Sequence, residues 1–192
     1  MPARNDAALA FLATRHSRPA KLFSLPVPTR DQLTEILTAA TRVPDHGKLE
    51  PWRLVVVEGA AFTRLADLAE ARAQELGGDA EMAAKGRGQY DLGQLAVVVI
   101  ASPKPSPKIP AVEQLMSAGA LCFGILAAAQ AAGWGANWLT GWPAHDASFA
   151  ARAFGCQGGE TVAGIIHIGT PPEDFADRPR PDLSKLVTWA KA

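Results

Sequence analysis

Two hydrophobic periods share the chain. Leu33, Ile36, Leu37 and Ala40 recur at helical spacing, and Thr29 with Gln32 places a T-x-x-Q capping box in front of them, so a helix is predicted there. A shorter helix is predicted from a cap at Asn5 or Asp6 through Ala13, and a third from Phe62 to Leu76, closed by Gly77 and Gly78. A weaker helical segment covers Ala80 to Lys85. Between these lie short runs that read as strands: Trp52 to Glu58, taken as the first buried strand, "LAVVVIAS" at 95–102, "GANWLTG" at 135–141 and "TVAGIIHIGTP" from Thr161. The continuous β-branched run at 95–102 predicts a strand buried on both faces.

From Ala111 to Ala132 the sequence is apolar nearly all round and dense in alanine and glycine, the pattern of a helix buried in a large core or in lipid. The stretch approaches spanning length, but it has no basic flank and no second span, and the rest of the chain is amphipathic; a central helix of a soluble fold is the expectation. Ser117, Ala118, Gly119 and Gly124 would let another helix approach closely, a symmetry mate's among the candidates. Ala147 to Phe154 reads as a helix capped by Asp146 and stopped by Gly155. "PKPSPKIP" at 103–110 is a Pro-rich surface loop, expected to be mobile, and the tail from Pro172 is Pro-rich, basic at its centre, with a short amphipathic end. There is no internal repeat and no linker, which leaves a single domain over 1–192.

Composition narrows the function classes. Nineteen basic residues balance 19 acidic ones over 192 residues, so no bulk field draws the chain to nucleic acid or to an anionic membrane, and an anion would be held by a few placed cations. The N-terminus has polar and acidic residues where a secretory signal would be apolar, which makes the cytoplasm the expected compartment. Cys122 and Cys156 have neither CxxC nor metal-ligand spacing and read as plain buried or half-buried thiols. No G-x-G-x-x-G, P-loop or G-x-S-x-G is present, and His16, His46, His145 and His167 are scattered. His167, inside "GIIHIG", is expected to be a satisfied core histidine, and His145 a loop or capping residue.

Three polar clusters remain: "TRHSR" at 14–18, "RVPDHGK" at 42–48 and "RPRP" at 178–181. Singly, Arg15 and Arg42 read as cations near helix C-termini and His46 as part of a turn. Together the clusters suit a cofactor phosphate better, since an arginine fork with a serine hydroxyl supplies charge-assisted donors.

In order, "RHS", "RVPDHGKLEPWR", "MSAG", "WLTG" and "GTP" resemble the FMN-dependent nitroreductase family, and most closely its compact YdjA-like branch; P-D-H-x-x-x-x-P-W is the specific part. The resemblance implies a three-layer α+β fold, a central mostly antiparallel sheet flanked by helices, in a homodimer whose subunits embrace and share two FMN sites at the interface. Residue by residue, it implies that Arg15 and Ser17, with His16 beside them, contact the phosphate and ribityl chain. Arg42 and His46 would come from the partner subunit. Trp138, Leu139, Thr140 and Gly141 would line the isoalloxazine, with Trp138 its flat partner, and Arg180, with Arg178 as a further candidate, would return to the phosphate. Arg42, His46 or Lys48 would ease reduction by meeting charge at flavin N1 and O2.

The implied reaction is ping-pong: NAD(P)H passes a hydride to FMN and leaves, and a small electron-poor acceptor such as a nitroaromatic or quinone follows. The flavin carries the chemistry, so no general acid or base is assigned. The same residues would serve a flavin-binding module that stores, degrades or senses FMN without NAD(P)H turnover. Two departures stand out. Glu50 replaces the family's usual glutamine before Pro51-Trp52 and either faces solvent, the favoured reading, or lowers the flavin potential. His16 stands where a second arginine is common, which ties part of the site's charge to pH.

Overall fold

In a computed structural model, which describes residues 2–173 and 179–190, all seven residues of β2 (Leu95–Ala101) are buried. β1 (Trp52–Glu58) and β4 (Thr161–Gly169) pair with its two sides, and β3 (Gly135–Leu139) pairs with β4, giving the order β1-β2-β4-β3. Every one of these pairings is antiparallel. β1 is therefore an edge strand and mostly half-buried, not the buried strand expected from its apolar run.

The period of two along β2 divides the interior. Leu95, Val97 and Val99 join a core with α2 (Arg30–Ala40) and α5 (Ala111–Ala131), while Ala96, Val98 and Ile100 join a second with α3 (Ala61–Glu75) and α7 (Ala147–Phe154). Three layers result, as the fold expectation had it. The short helices α4 (Ala80–Arg87) and α6 (Gly141–His145) pack beside α3 and α7. α6 was absent from the sequence reading, which ran the strand on to Gly141; Gly141 at φ 62 turns the chain and Pro143 sits in the first helical turn, where a missing N–H costs nothing.

α5 is the central helix that the sequence predicts, long and apolar enough to cross a membrane but packed on the sheet through Leu121, Cys122, Ile125 and Ala129. Burial raises the Cys122 thiol to about 12. Gly124 lets α2 close in, since a Cβ there would lie 2.7 Å from the Ala40 carbonyl. The opposite side of α5 is uncovered: Val112, Leu115, Met116 and Phe123 are exposed. α1 (Asp6–Thr14), capped by Asn5, buries none of its residues, and Leu9 and Leu12 are about half exposed at 48% and 53%.

The Pro-rich loop at 103–110 is tied down. Gln114 of α5, itself buried, accepts from Lys104 N at 2.7 Å and donates to the carbonyls of Lys104 and Ile109, while Ser106 Oγ accepts from Ile109 N. At the far end of the sheet the Arg53 guanidinium meets both carboxylate oxygens of Glu160, at 2.9 and 2.8 Å, and donates to the carbonyls that end α7.

That bidentate bond holds the Glu160 carboxyl down at about 2, against an ordinary value of 4.5. The depressed value means its contribution to stability is complete above the ordinary value and is lost as pH falls toward 2. Glu160→Gln is expected to cost about 1.5–3 kcal/mol near neutral pH, the range for hydrogen bonds to charged groups. Urea titrations of the two proteins over a pH series should show that difference shrinking as the medium is acidified.

Candidate functional site

The segment after α1 is fastened by two amide side chains. Gln130 of α5 accepts from Arg15 Nε at 2.9 Å and donates to His16 O at 2.7 Å, and Asn137 of β3 donates to Arg18 O at 2.6 Å. Both satisfy backbone or guanidinium groups that would otherwise be half-buried without partners. The segment is thereby laid along the end of β3. Beyond it opens a cavity of about 710 Å³, floored by the sheet and walled on the other side by α4 and the residues that follow.

Three cations line the cavity, Arg18, Lys21 and Lys85, and no carboxylate does among the described residues. Lys85 is paired with Glu81 of α4 at 2.6 Å, which leaves Arg18 and Lys21 as the cations most suited to an anion. Three lining residues, Arg18, Gln89 and His167, also carry a buried polar atom without a hydrogen-bond partner: Nε, Oε1 and Nε2. Buried polar groups in folded proteins are paired almost without exception, so three unpaired ones beside one cavity are groups that a ligand or ordered water would pair. The size lies in the usual range for cofactor sites.

α4 is held in place by Trp142, whose Nε1 donates to Met82 O at 3.0 Å and whose ring lies where a Cβ on Gly86 would be, 2.6 Å from Cζ2. Gly141 is required twice. Its φ is in the left-handed region, and a Cβ there would fall on the Gln89 amide.

The sequence-predicted residues fall into separate places. Ser17, Trp138 and Leu139 line the cavity. Thr140 and Gly141 continue from Leu139 at the start of α6, and Gly141 packs on the lining residue Gln89. The register pairs Trp138 with Ile166, on the α5 face of the sheet, and Asn137 with His167. The Trp138 indole accordingly lies over Gly164, whose absent Cβ would be 2.2 Å from Nε1, rather than on the side of His167. Arg15 stacks on Phe123 of α5, 5.8 Å from the ring centroid. His16 donates from Nδ1 to Thr14 O, and its Nε2 is buried without a partner. Arg180 donates to Ala13 O at 2.6 Å, at the end of α1; Arg178 lies outside the described residues.

Arg42, His46 and Lys48 do not reach the cavity of their own chain. All three are exposed. Arg42 borders a shallow groove with Phe11 and Phe123, and His46 Nδ1 donates to Glu113 Oε2 of α5 at 2.7 Å. Much of the polarity of this stretch serves its turn. The Asp45 carboxylate accepts from Leu49 N and Glu50 N, with Gly47, Lys48 and Glu50 all at positive φ, and Ser117 of α5 donates to Pro44 O at 2.8 Å. Glu50 faces solvent, as favoured from the sequence.

The sequence does not single out Lys21, Lys85, Gln89 or Asn137, and shows Arg18 only as part of the "TRHSR" cluster; His167 reads there as a satisfied core residue. His167 is buried in the sheet but unsatisfied at Nε2, and burial draws its pKa down to about 4, so it is neutral at physiological pH. Gln130 had a visible signal, a lone amide within "LAAAQAA".

The size and lining of the cavity suit a small anionic molecule held against the end of an antiparallel sheet. Comparison with known proteins makes this specific. The chain belongs to the nitroreductase family, whose sequence profile matches residues 12–170. It is 34% identical, over 95% of its length and 98% of the relative's, to the "Putative NAD(P)H nitroreductase YdjA" of Escherichia coli strain K12. Among solved structures it resembles a nitroreductase-like family protein from Bacillus cereus, with a TM-score of 0.78 at 20% identity and complete coverage of both chains. It also resembles a variant of the FMN- and NADPH-dependent nitroreductase NfnB from sphigopyxis sp. strain HMH, with a TM-score of 0.74 at 18% identity over 95% of this chain and 98% of the other.

Gly141→Ala is expected to destabilise the protein by about 1–2 kcal/mol, the cost of a side chain in the left-handed region. It should also push Gln89 from the cavity wall. Thermal melting measures the first effect and a crystal structure of the variant the second.

Proposed function

We propose that the protein is an FMN-dependent NAD(P)H oxidoreductase of nitroreductase type that reduces a small electron-poor acceptor such as a nitroaromatic or quinone. The cation-lined cavity with three unpaired buried polar atoms carries this reading, supported by family membership and by the names of its relatives. The donor set fits FMN: Arg18, Lys21 and the Ser17 hydroxyl suit a phosphate of nearly two negative charges, and Gln89, Leu139 and His167 offer polar and apolar surface to a ring. Bound FMN would supply two-electron chemistry between the nicotinamide and the acceptor. The residues of the chain bind and orient. Gln130 and Asn137 fix the backbone from Arg15 to Arg18 so that the donors need no reorganisation, and the neutral His167 adds no second charge beside the ring. Arg15, His16 and Arg180 belong in this proposal beside the phosphate-binding segment, with Arg180 anchored on Ala13 O.

We extend the proposal to a homodimer. The uncovered apolar sides of α1 and α5 suit a partner surface, and Arg42, His46 and Lys48, exposed and away from their own cavity, would serve a neighbour's.

Purified protein titrated with FMN should bind it, and the bound flavin should bleach anaerobically on addition of NAD(P)H. Arg18→Ala should weaken FMN binding by about 1.5–3 kcal/mol. A protein that ignores FMN would refute the reading; one that binds it yet never bleaches would be a flavin carrier.

Mixing Arg18→Ala chains with His46→Ala chains tests the shared site. If Arg18 serves its own subunit and His46 the partner's, the heterodimer has one intact and one doubly damaged site, and about half the wild-type activity should return, assuming independent sites. No recovery in a heterodimer verified by mass would remove Arg42, His46 and Lys48 from the partner's site.

A further inference from the structure

His167 is only 2% exposed, near the C-terminal end of β4, and among the described residues its Nε2 finds no hydrogen-bond partner. The neighbours explain why. Across the strands it is paired with Ala96 and Asn137; the Asn137 amide nitrogen is committed to Arg18 O, and the ring nearest the imidazole is Phe62, with centroids 6.1 Å apart. Neither an alanine nor a phenylalanine can pair an imidazole nitrogen. No carboxylate lines the cavity to do so. An apolar residue would fill the same space without leaving a buried Nε2 unpaired. His167 and Gln89, whose Oε1 is unpaired as well, both line the cavity.

We propose that His167 is a ligand-binding residue of this site, which hydrogen-bonds through Nε2 to the polar edge of the bound ring system, with Gln89 as the complementary acceptor on the same wall. A donor and an acceptor on one wall match a ring edge that carries adjacent C=O and N–H groups. The inference rests on the flavin reading above and names the part of the flavin that His167 meets: the ring, not the phosphate. Burial keeps the imidazole neutral, so the contact adds no charge to those of Arg18, Lys21 and Lys85.

The test uses the full chain stripped of bound flavin, with His167→Phe and, as a second apolar replacement, His167→Leu. Removal of an unpaired buried nitrogen should leave the melting temperature of the flavin-free protein unchanged or raise it, while affinity for FMN falls about tenfold. Riboflavin, which has the ring and no phosphate, should lose the same factor. His167→Gln, which keeps a polar group, should recover part of the loss. If wild type binds FMN and both apolar variants bind it equally well, His167 has no role in the site, although the flavin reading stands. If melting temperature and affinity fall together, His167 is a packing residue and the inference is overturned. If wild type binds neither FMN nor riboflavin, both readings fall.

Discussion

Complete burial of β2 is the constraint from which the rest of the structure follows. A strand with no polar position must be covered on both faces, and the alternation of its side chains sends Leu95, Val97 and Val99 to one helical layer and Ala96, Val98 and Ile100 to the other. With both faces of the centre taken, polar chemistry is confined to the ends and edges of the sheet. The cavity lies at such a place, between β3, the end of β4 and α4, where the register can turn His167 and Asn137 toward it without opening either core.

Polar groups elsewhere are paired with care. Arg53 binds Glu160 and two carbonyls, Arg72 joins the Asp146 that caps α7, and Gln114 and Gln130 each serve two or more partners. Among the described residues, five side chains have a buried polar atom without a partner, and three of those line the cavity. Where the fold can satisfy a donor or acceptor it does so, which gives the exceptions at Arg18, Gln89 and His167 their meaning.

How much of this the sequence carried depends on the range of the interactions. Local signals held: the Thr29–Gln32 capping box, the Asp146 cap, Gly155 in the left-handed region and the buried run of β2 are all present. Of the residues that the family resemblance singles out, Ser17, Trp138 and Leu139 line the cavity. What stayed hidden depends on register and on contacts far apart in sequence. One-residue alternation decides that Trp138 faces α5 while Asn137 lies beside Arg18, and no local pattern announces it. Lys21, Lys85 and Gln89 converge only because α4 folds back over the end of the sheet. "RVPDHGKLEPW" looked like concentrated chemistry, yet Asp45 spends its carboxylate on the Leu49 and Glu50 amides, as a backbone device.

The first helix carries a consequence of its own. α1 is nine residues long, below the roughly 12–15 at which an isolated helix persists in water, and its own chain buries none of its side chains. It is moored at one end, through Arg180 on Ala13 O and Arg15 on Gln130. Such a helix frays from its free end unless something covers Leu9 and Leu12, and the segment it feeds is the one that brings Ser17 and Arg18 to the cavity. A surface that covers Leu9 and Leu12 would therefore steady the cavity wall without touching it, and if that surface belonged to a second copy of the chain the effect would vary with protein concentration.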